Sequence, residues 1–223
     1  MSKRFRVIAL MWLLVPVIGA GGVAVYCALR HVPEFYREAL ESPAAGQKIC
    51  SDRMLQHCSA LASDVRKSGR WHAVFTAGEI NGWLAVDLLQ NYPGALPPEF
   101  RDPRVRIEPD RVRLACSFQQ GGFSSVLSLT VEPAVIRPNV LAIRICSARA
   151  GAIPVPLGRF LRAISDAARR AKARIEWRQA DGDPVAILSL SPAGGDGRRA
   201  LLDTLRLGDG KISLAGRTEG SEK

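Results

Sequence analysis

The chain has 223 residues, 47% hydrophobic and 23% charged, with 31 Lys and Arg against 21 Asp and Glu for a net charge of +10. That balance excludes a disordered polymer, which would be poorer in apolar residues, and five cysteines are too few for a disulfide-dense small scaffold. The basic excess raises nucleic acid as a partner, so its position along the chain decides its meaning.

The first element is an uncharged run of 23 residues from Val7 to Leu29. At about 1.5 Å per helical residue it covers roughly 35 Å, enough for a hydrocarbon core of about 30 Å. Lys3, Arg4 and Arg6 precede it and Arg30 alone follows closely, which places the amino terminus in the cytoplasm and the remainder outside. The run is longer than the apolar part of a signal peptide and no Ala-x-Ala site closes it, so the anchor reads as uncleaved. The expected division is a basic flank over 1–6, a transmembrane helix over 7–29, a juxtamembrane helical region over 30–70, an extracytoplasmic domain over 71–217 and a tail over 218–223. An outside location argues against nucleic acid.

PEFYREALES begins a short helix at Pro33, and a longer helix is predicted from about Gln47 to Lys67, with Ile49, Leu55, Leu61 and Val65 among its apolar positions. Cys50 and Cys58 stand about 12 Å apart on such a helix, beyond the roughly 7 Å limit for a disulfide. With His57 and His72 they match none of the short ligand intervals of zinc sites. Neither a metal nor a cofactor is expected.

WHAVF alternates as a strand and leads into FTAGEINGWLAV, residues 75–86. Thr76 and Glu79 have the spacing of a capping box, in which each side chain satisfies a backbone N–H at the helix start. Ile80, Trp83, Leu84 and Leu88 then repeat at three and four residues, the pattern of a buried stripe. Asn81 lies off that stripe and no mechanism requires it.

From Val105 the period becomes two. RVRIEP and DRVRLACSF flank the turn Pro109-Asp110, FSSVLSLTVEP follows Gly121-Gly122, and NVLAIRICSARA follows Arg137-Pro138-Asn139, predicting a four-stranded antiparallel meander. Cys116 is in phase with Val112, Leu114 and Phe118, whereas Cys146 is out of phase with Leu141, Ile143 and Ile145; a bridge between them requires strands that bulge or cross. The expected cover for the apolar face is the helix after AGAIPVPLG, with Phe160, Leu161, Ile164, Ala168 and Ala171 opposed by Arg159, Arg162, Arg169 and Arg170. RIEWRQ and VAILSLS read as strands around the turn 180–184, and LRLGDGKISLAG as a hairpin on Asp209-Gly210. The fold class is α+β.

An anchor, the "FT..EIN.WL" helix, the "DPRV.I..DRVRL" hairpin, the "ARAGAIPVPLGRFL" strand end and the late "AILSLS" strand together resemble the YpmS-like group of membrane-anchored extracytoplasmic bacterial proteins over residues 70–190. The resemblance implies an anchored extracytoplasmic domain and brings no catalytic residues with it. The longer helical region before residue 70 departs from that group.

Residues 146–180 carry eight basic residues against two acidic ones. Arg159, Arg162, Arg169 and Arg170 form either a solvated helix face or a contact for anionic headgroups. No Gly-x-Ser-x-Gly elbow, His-Glu-x-x-His pair or phosphate-cradling loop is present, so no enzyme is expected. Two readings remain: a membrane-anchored extracytoplasmic module whose apolar groove takes a lipid or another envelope amphiphile, and a scaffold that binds another envelope protein.

Overall fold

The computed structural model describes residues 21–92, 94–170, 175–190 and 198–220, with the backbone alone given for Leu89, Arg159, Phe160, Ala163, Ala167 and Arg170. Helix α1 is described over 21–29. Among the described residues no helix is long and apolar enough to cross a bilayer, and residues 7–20 of the expected span lie outside them. Helices α2 (Glu34–Leu40) and α3 (Ala44–Val65) follow, then β1 (Gly69–Thr76) and α4 (Ala77–Asn91).

The segments with period two form strands. They are β2 (Phe100–Ile107), β3 (Val112–Gln120), β4 (Phe123–Arg137) and β5 (Val140–Ala150). After β6 (Ile153–Pro154) and α5 (Leu157–Arg170) come β7 (Ile175–Ala180), β8 (Asp183–Ser189), β9 (Arg199–Gly208) and β10 (Lys211–Glu219). The larger sheet has the order β2-β3-β4-β5-β8-β7, with β6 paired to β5, and a second sheet has the order β1-β10-β9. Neighbouring strands in both run antiparallel, so the chain is α+β as its patterning predicts.

Between β4 and β5 the register slips: Thr130 pairs with Ser147 and Val131 with Ile145, leaving Cys146 as the extra residue. A bulge of this kind switches which positions face inward. The buried residues of β5 accordingly change from Ile145 to Ala148 and Ala150, which accounts for Cys146 falling out of alternation. Cys116 aligns with Leu127 on one face of the sheet, Cys146 lines a groove on the other, and all five cysteines are free thiols.

The cover of the meander differs from expectation. Helix α5 touches the sheet at β5 and, through Trp177, at β7. Over β3 and β4 the cover is α2, whose adjacent Phe35 and Tyr36 make a buried cluster with Ala115 and Val126. Two turns of helix suffice because each aromatic side chain buries roughly 150–250 Å². Strand β9 lies against β4 with Ala200 and Leu202 buried. Asn139, at a φ of 60° in the β4–β5 turn, fastens the two sheets together. Its side-chain amide donates to Ala200 O at 2.9 Å and accepts from Leu202 N at 2.7 Å.

Helices α3 and α4 meet at Gly82, where a Cβ would stand 2.6 Å from Gln47 O and 2.7 Å from Ser51 N. At so close an approach the seam has no room for large side chains. Ser51 of α3 and Glu79, Gly82 and Asp87 of α4 are therefore the buried residues there, while the expected stripe of Ile80, Trp83, Leu84 and Leu88 is half-buried. Ile49 and Leu55, expected among the apolar positions of α3, are exposed.

Candidate anion-binding groove

The polar residues of FTAGEINGWLAV have architectural partners. Thr76 caps α4 by accepting from Glu79 N, and the Glu79 carboxylate accepts from Thr76 N at 2.8 Å. Asn81 donates to Val105 O at 2.8 Å and accepts from Val105 N at 2.7 Å, so one amide side chain takes the place of a further strand beside β2. An edge strand left with open backbone groups is a template for unwanted pairing, and Asn81 blocks that pairing at Val105.

Ser51 Oγ donates to Asp87, which also accepts from Asn91 Nδ2 at 2.9 Å, and His57 Nδ1 stands 3.3 Å from Glu79 Oε1. These are two separate pairs. His57 lies six residues from Ser51 on the same helix, about 9 Å along its axis, so no Ser–His–Asp relay is assembled. Among the described residues no group of three His, Cys, Asp or Glu side chains is placed to hold a metal ion.

A different surface gathers positive charge. On the face of the larger sheet beneath α2, cross-strand register aligns Arg113, Thr130 and Ser147 in one row and Ser128 with Arg149 in the next. With Arg111 and His31 they line a groove of about 430 Å³. The Arg113 guanidinium sits 5.9 Å from the centre of the Phe35 ring, a cation–π distance that fixes its position. Glu108 lies 3.1 Å from Arg113 and 3.7 Å from Arg111, which also pairs with Asp110. Arg149 is exposed and has no carboxylate within salt-bridge distance among the described residues. Guanidinium groups and hydroxyls converging on one concavity are the donor set for an oxyanion. Burial, with the Glu132 carboxylate adding to it, pushes the Cys146 thiol up to about 11, so it faces the groove as a neutral group and not as a nucleophile.

The groove also adjoins the end of α1. The carbonyls of Ala28 and Leu29 accept from Ala152 N at 2.8 Å and Ser125 Oγ at 2.7 Å, and Gly151 comes so close that a Cβ would stand 2.2 Å from Ala28 O. The last carbonyls of a helix have no internal donors; here Ser125 on β4 and Ala152 in the β5–β6 turn supply them, with His31 N also 3.3 Å from Ala28 O. Comparison with protein-family models, curated proteins and solved structures finds no match for this chain.

Of the four arginines singled out on α5, Arg162 and Arg169 are exposed at a crevice of about 340 Å³ beside Trp177 and Ile175, and Arg169 pairs with Asp166. The side chains of Arg159 and Arg170 lie outside the described residues. Sequence reasoning missed Arg111, Arg113 and Arg149. Their signal was present in DRVRL and SARA, where arginines and hydroxyl residues occupy the polar phase of the strands, but only the register reveals that those phases form one surface.

Proposed function

We propose that this protein is a single-pass, extracytoplasmic binding module whose groove holds the anionic headgroup of a lipid or related envelope amphiphile. The docking of α1 onto the sheet carries the reading. With Val7–Leu29 as a membrane anchor, hydrogen bonds from Ala152 and Ser125 to the end of α1 fix the domain against the bilayer. His31 and Pro33, in the short connection after the helix, line the groove, so under this reading its mouth opens at headgroup level. The polar lining favours a headgroup over the acyl chains that an apolar groove would take, leaving the chains in the bilayer. A basic residue near an anionic surface contributes on the order of 1 kcal/mol, fading over about 8 Å at physiological salt. Arg162 and Arg169 on α5 are a second contact with the same surface under this proposal. The resemblance to YpmS-like anchored proteins is consistent with this topology.

Full-length protein in nanodiscs of mixed neutral lipid and phosphatidylglycerol, released gently into native mass spectrometry, tests the reading. Anionic lipid is expected to remain bound selectively, and the double substitution Arg113→Gln and Arg149→Gln to lower its retention about tenfold, the loss of two charge-assisted contacts. Retention of neutral and anionic lipid alike, or retention unaffected by the substitutions, would favour the scaffold reading instead.

A further inference from the structure

We propose that the open edge of β7 joins two copies of this chain, strand to strand about a twofold axis at Trp177, into one continuous sheet. Strand β7 ends the larger sheet, and among the described residues nothing pairs with its other side. The remaining sheet edges have covers. The Asn81 side chain occupies the edge of β2 at Val105, Asn139 takes up that of β9 at Ala200 and Leu202, and β1 borders α3. IEWRQA carries no proline or lysine, and its register against β8 runs from Ile175 to Ala180 without a bulge. Of the devices that keep an edge from pairing, only side-chain charge is left.

The phase of the hairpin fixes which backbone groups are open. Asp181 and Gly182, at φ of 53° and 87°, form the two-residue turn between β7 and β8, which makes Ala180 and Asp183 a hydrogen-bonded pair. The next pair, Gln179 with Pro184, is of the non-bonded kind, in agreement with the missing N–H of proline. Alternation then directs the N–H and C=O of Glu176 and Arg178 to β8, and those of Ile175, Trp177 and Gln179 to the open side. Two such edges exchange bonds only where open residues oppose open residues.

Charge selects the register. Trp177 points toward α5, where its indole donates to Ser165 Oγ at 2.8 Å, so Glu176 and Arg178 lie on the opposite face, both exposed and 2.7 Å apart. An antiparallel second copy centred on Trp177 sets Glu176 against Arg178 of the second copy, and Arg178 against its Glu176. These are non-hydrogen-bonded positions, where side chains come closest. Trp177 then meets Trp177, and Ile175 meets Gln179, through reciprocal N–H···O bonds. Centring the axis on Glu176 or on Arg178 instead opposes like charges. The favoured contact is self-complementary, as a twofold interface must be. On the α5 side the two indoles meet beside the crevice that Ile175 and Trp177 line with α5, which adds apolar contact to the backbone bonds. This contact depends neither on the groove nor on the membrane reading.

Sedimentation equilibrium of full-length protein in density-matched detergent reads the association. The parent is expected to dimerise, and Glu176→Arg and Arg178→Glu each to raise the dimer Kd at least about tenfold by opposing like charges across the axis. An equimolar mixture of the two variants is expected to recover the parent's dimer, because each cross-strand position then carries opposite charges; recovery also shows that both variants fold. Gln179→Pro, which removes an N–H that β8 does not use, is expected to weaken the dimer by itself. A parent that stays monomeric at about 100 μM, a dimer indifferent to both single charge reversals, or variants that fail to associate on mixing would overturn the proposal.

Discussion

Tyr36 shows how one side chain sets a pH limit on the fold. Its ring lies between α2 and β3, 2% exposed, and its hydroxyl donates to Asp102 O at 3.0 Å. Burial, reinforced by the Asp102 carboxylate, pushes the phenol up to about 12. The unfolded chain releases that proton near pH 10. The folded state is thus favoured fully below about pH 10, and roughly 2–3 kcal/mol of that advantage is lost as pH rises from 10 through 12. Tyr36→Phe is expected to cost about 1 kcal/mol at pH 8 for the hydrogen bond and to flatten the alkaline decline. Denaturant titrations at pH 8 and pH 11.5 read both effects; a decline as steep in the variant as in the parent assigns the alkaline loss to other groups. Glu79→Gln belongs to the same scale: glutamine completes a capping box too, so Tm is expected to change by no more than the equivalent of about 1 kcal/mol. A much larger drop would make the carboxylate's contact with His57 the main support. The cap itself was legible because it is a local pattern of four residues. The partner of Asn81 was not, because it is the backbone of Val105 on another element.

Elements announced by period are legible as helices and strands, whereas the pairing of strands distant in sequence is not. DRVRLACSF and its neighbours alternate strongly enough to name β2 to β5 in order, and Asp209-Gly210 marks the last turn. Nothing in WHAVF indicates that β1 pairs with β10 at the other end of the chain. The share of the cover that α2 takes over β3 and β4, beside the contact of α5 with β5, was not legible, because the periodicity of a helix shows that it has an apolar face without showing what that face meets. The seam between α3 and α4 escaped notice for a related reason: it is built on a glycine and polar side chains, which carry no hydrophobic signal. Gly82→Ala places a methyl group against Gln47 O and Ser51 N, and should destabilise the protein by about 1–3 kcal/mol as the helices part, despite the better helix propensity of alanine. Asn81→Ala leaves both backbone groups of Val105 without their partner and is expected to cost about 1–3 kcal/mol. Chemical denaturation measures each, and an unchanged midpoint for Gly82→Ala would mean that the seam opens freely.

For the whole molecule the question is whether α1 and the rest of the chain move together. The end of α1 is received by two separate parts of the domain, Ser125 on β4 and Ala152 beyond β5, with Gly151 at a φ of 60° between them. A hinge at residues 30–33 would let the groove point in any direction, whereas a docked α1 holds it beside the membrane surface under the proposed topology. Gly151→Val separates these cases. Its side chain cannot occupy the space filled by the Ala28 and Leu29 carbonyls, and a branched residue is strained at positive φ. The carbonyls lose two hydrogen bonds but remain able to reach water, so the sheet is expected to persist while α1 undocks. Hydrogen exchange of full-length protein in nanodiscs should then rise at 28–32 and at Ala152, with β3 and β4 unchanged. Selective retention of anionic lipid should fall even though Arg111, Arg113 and Arg149 are intact, because the groove no longer faces the headgroups in a fixed orientation. If exchange rises while lipid retention stays at the parent level, the arginines hold the proposed headgroup without help from α1 and the docking serves stability alone.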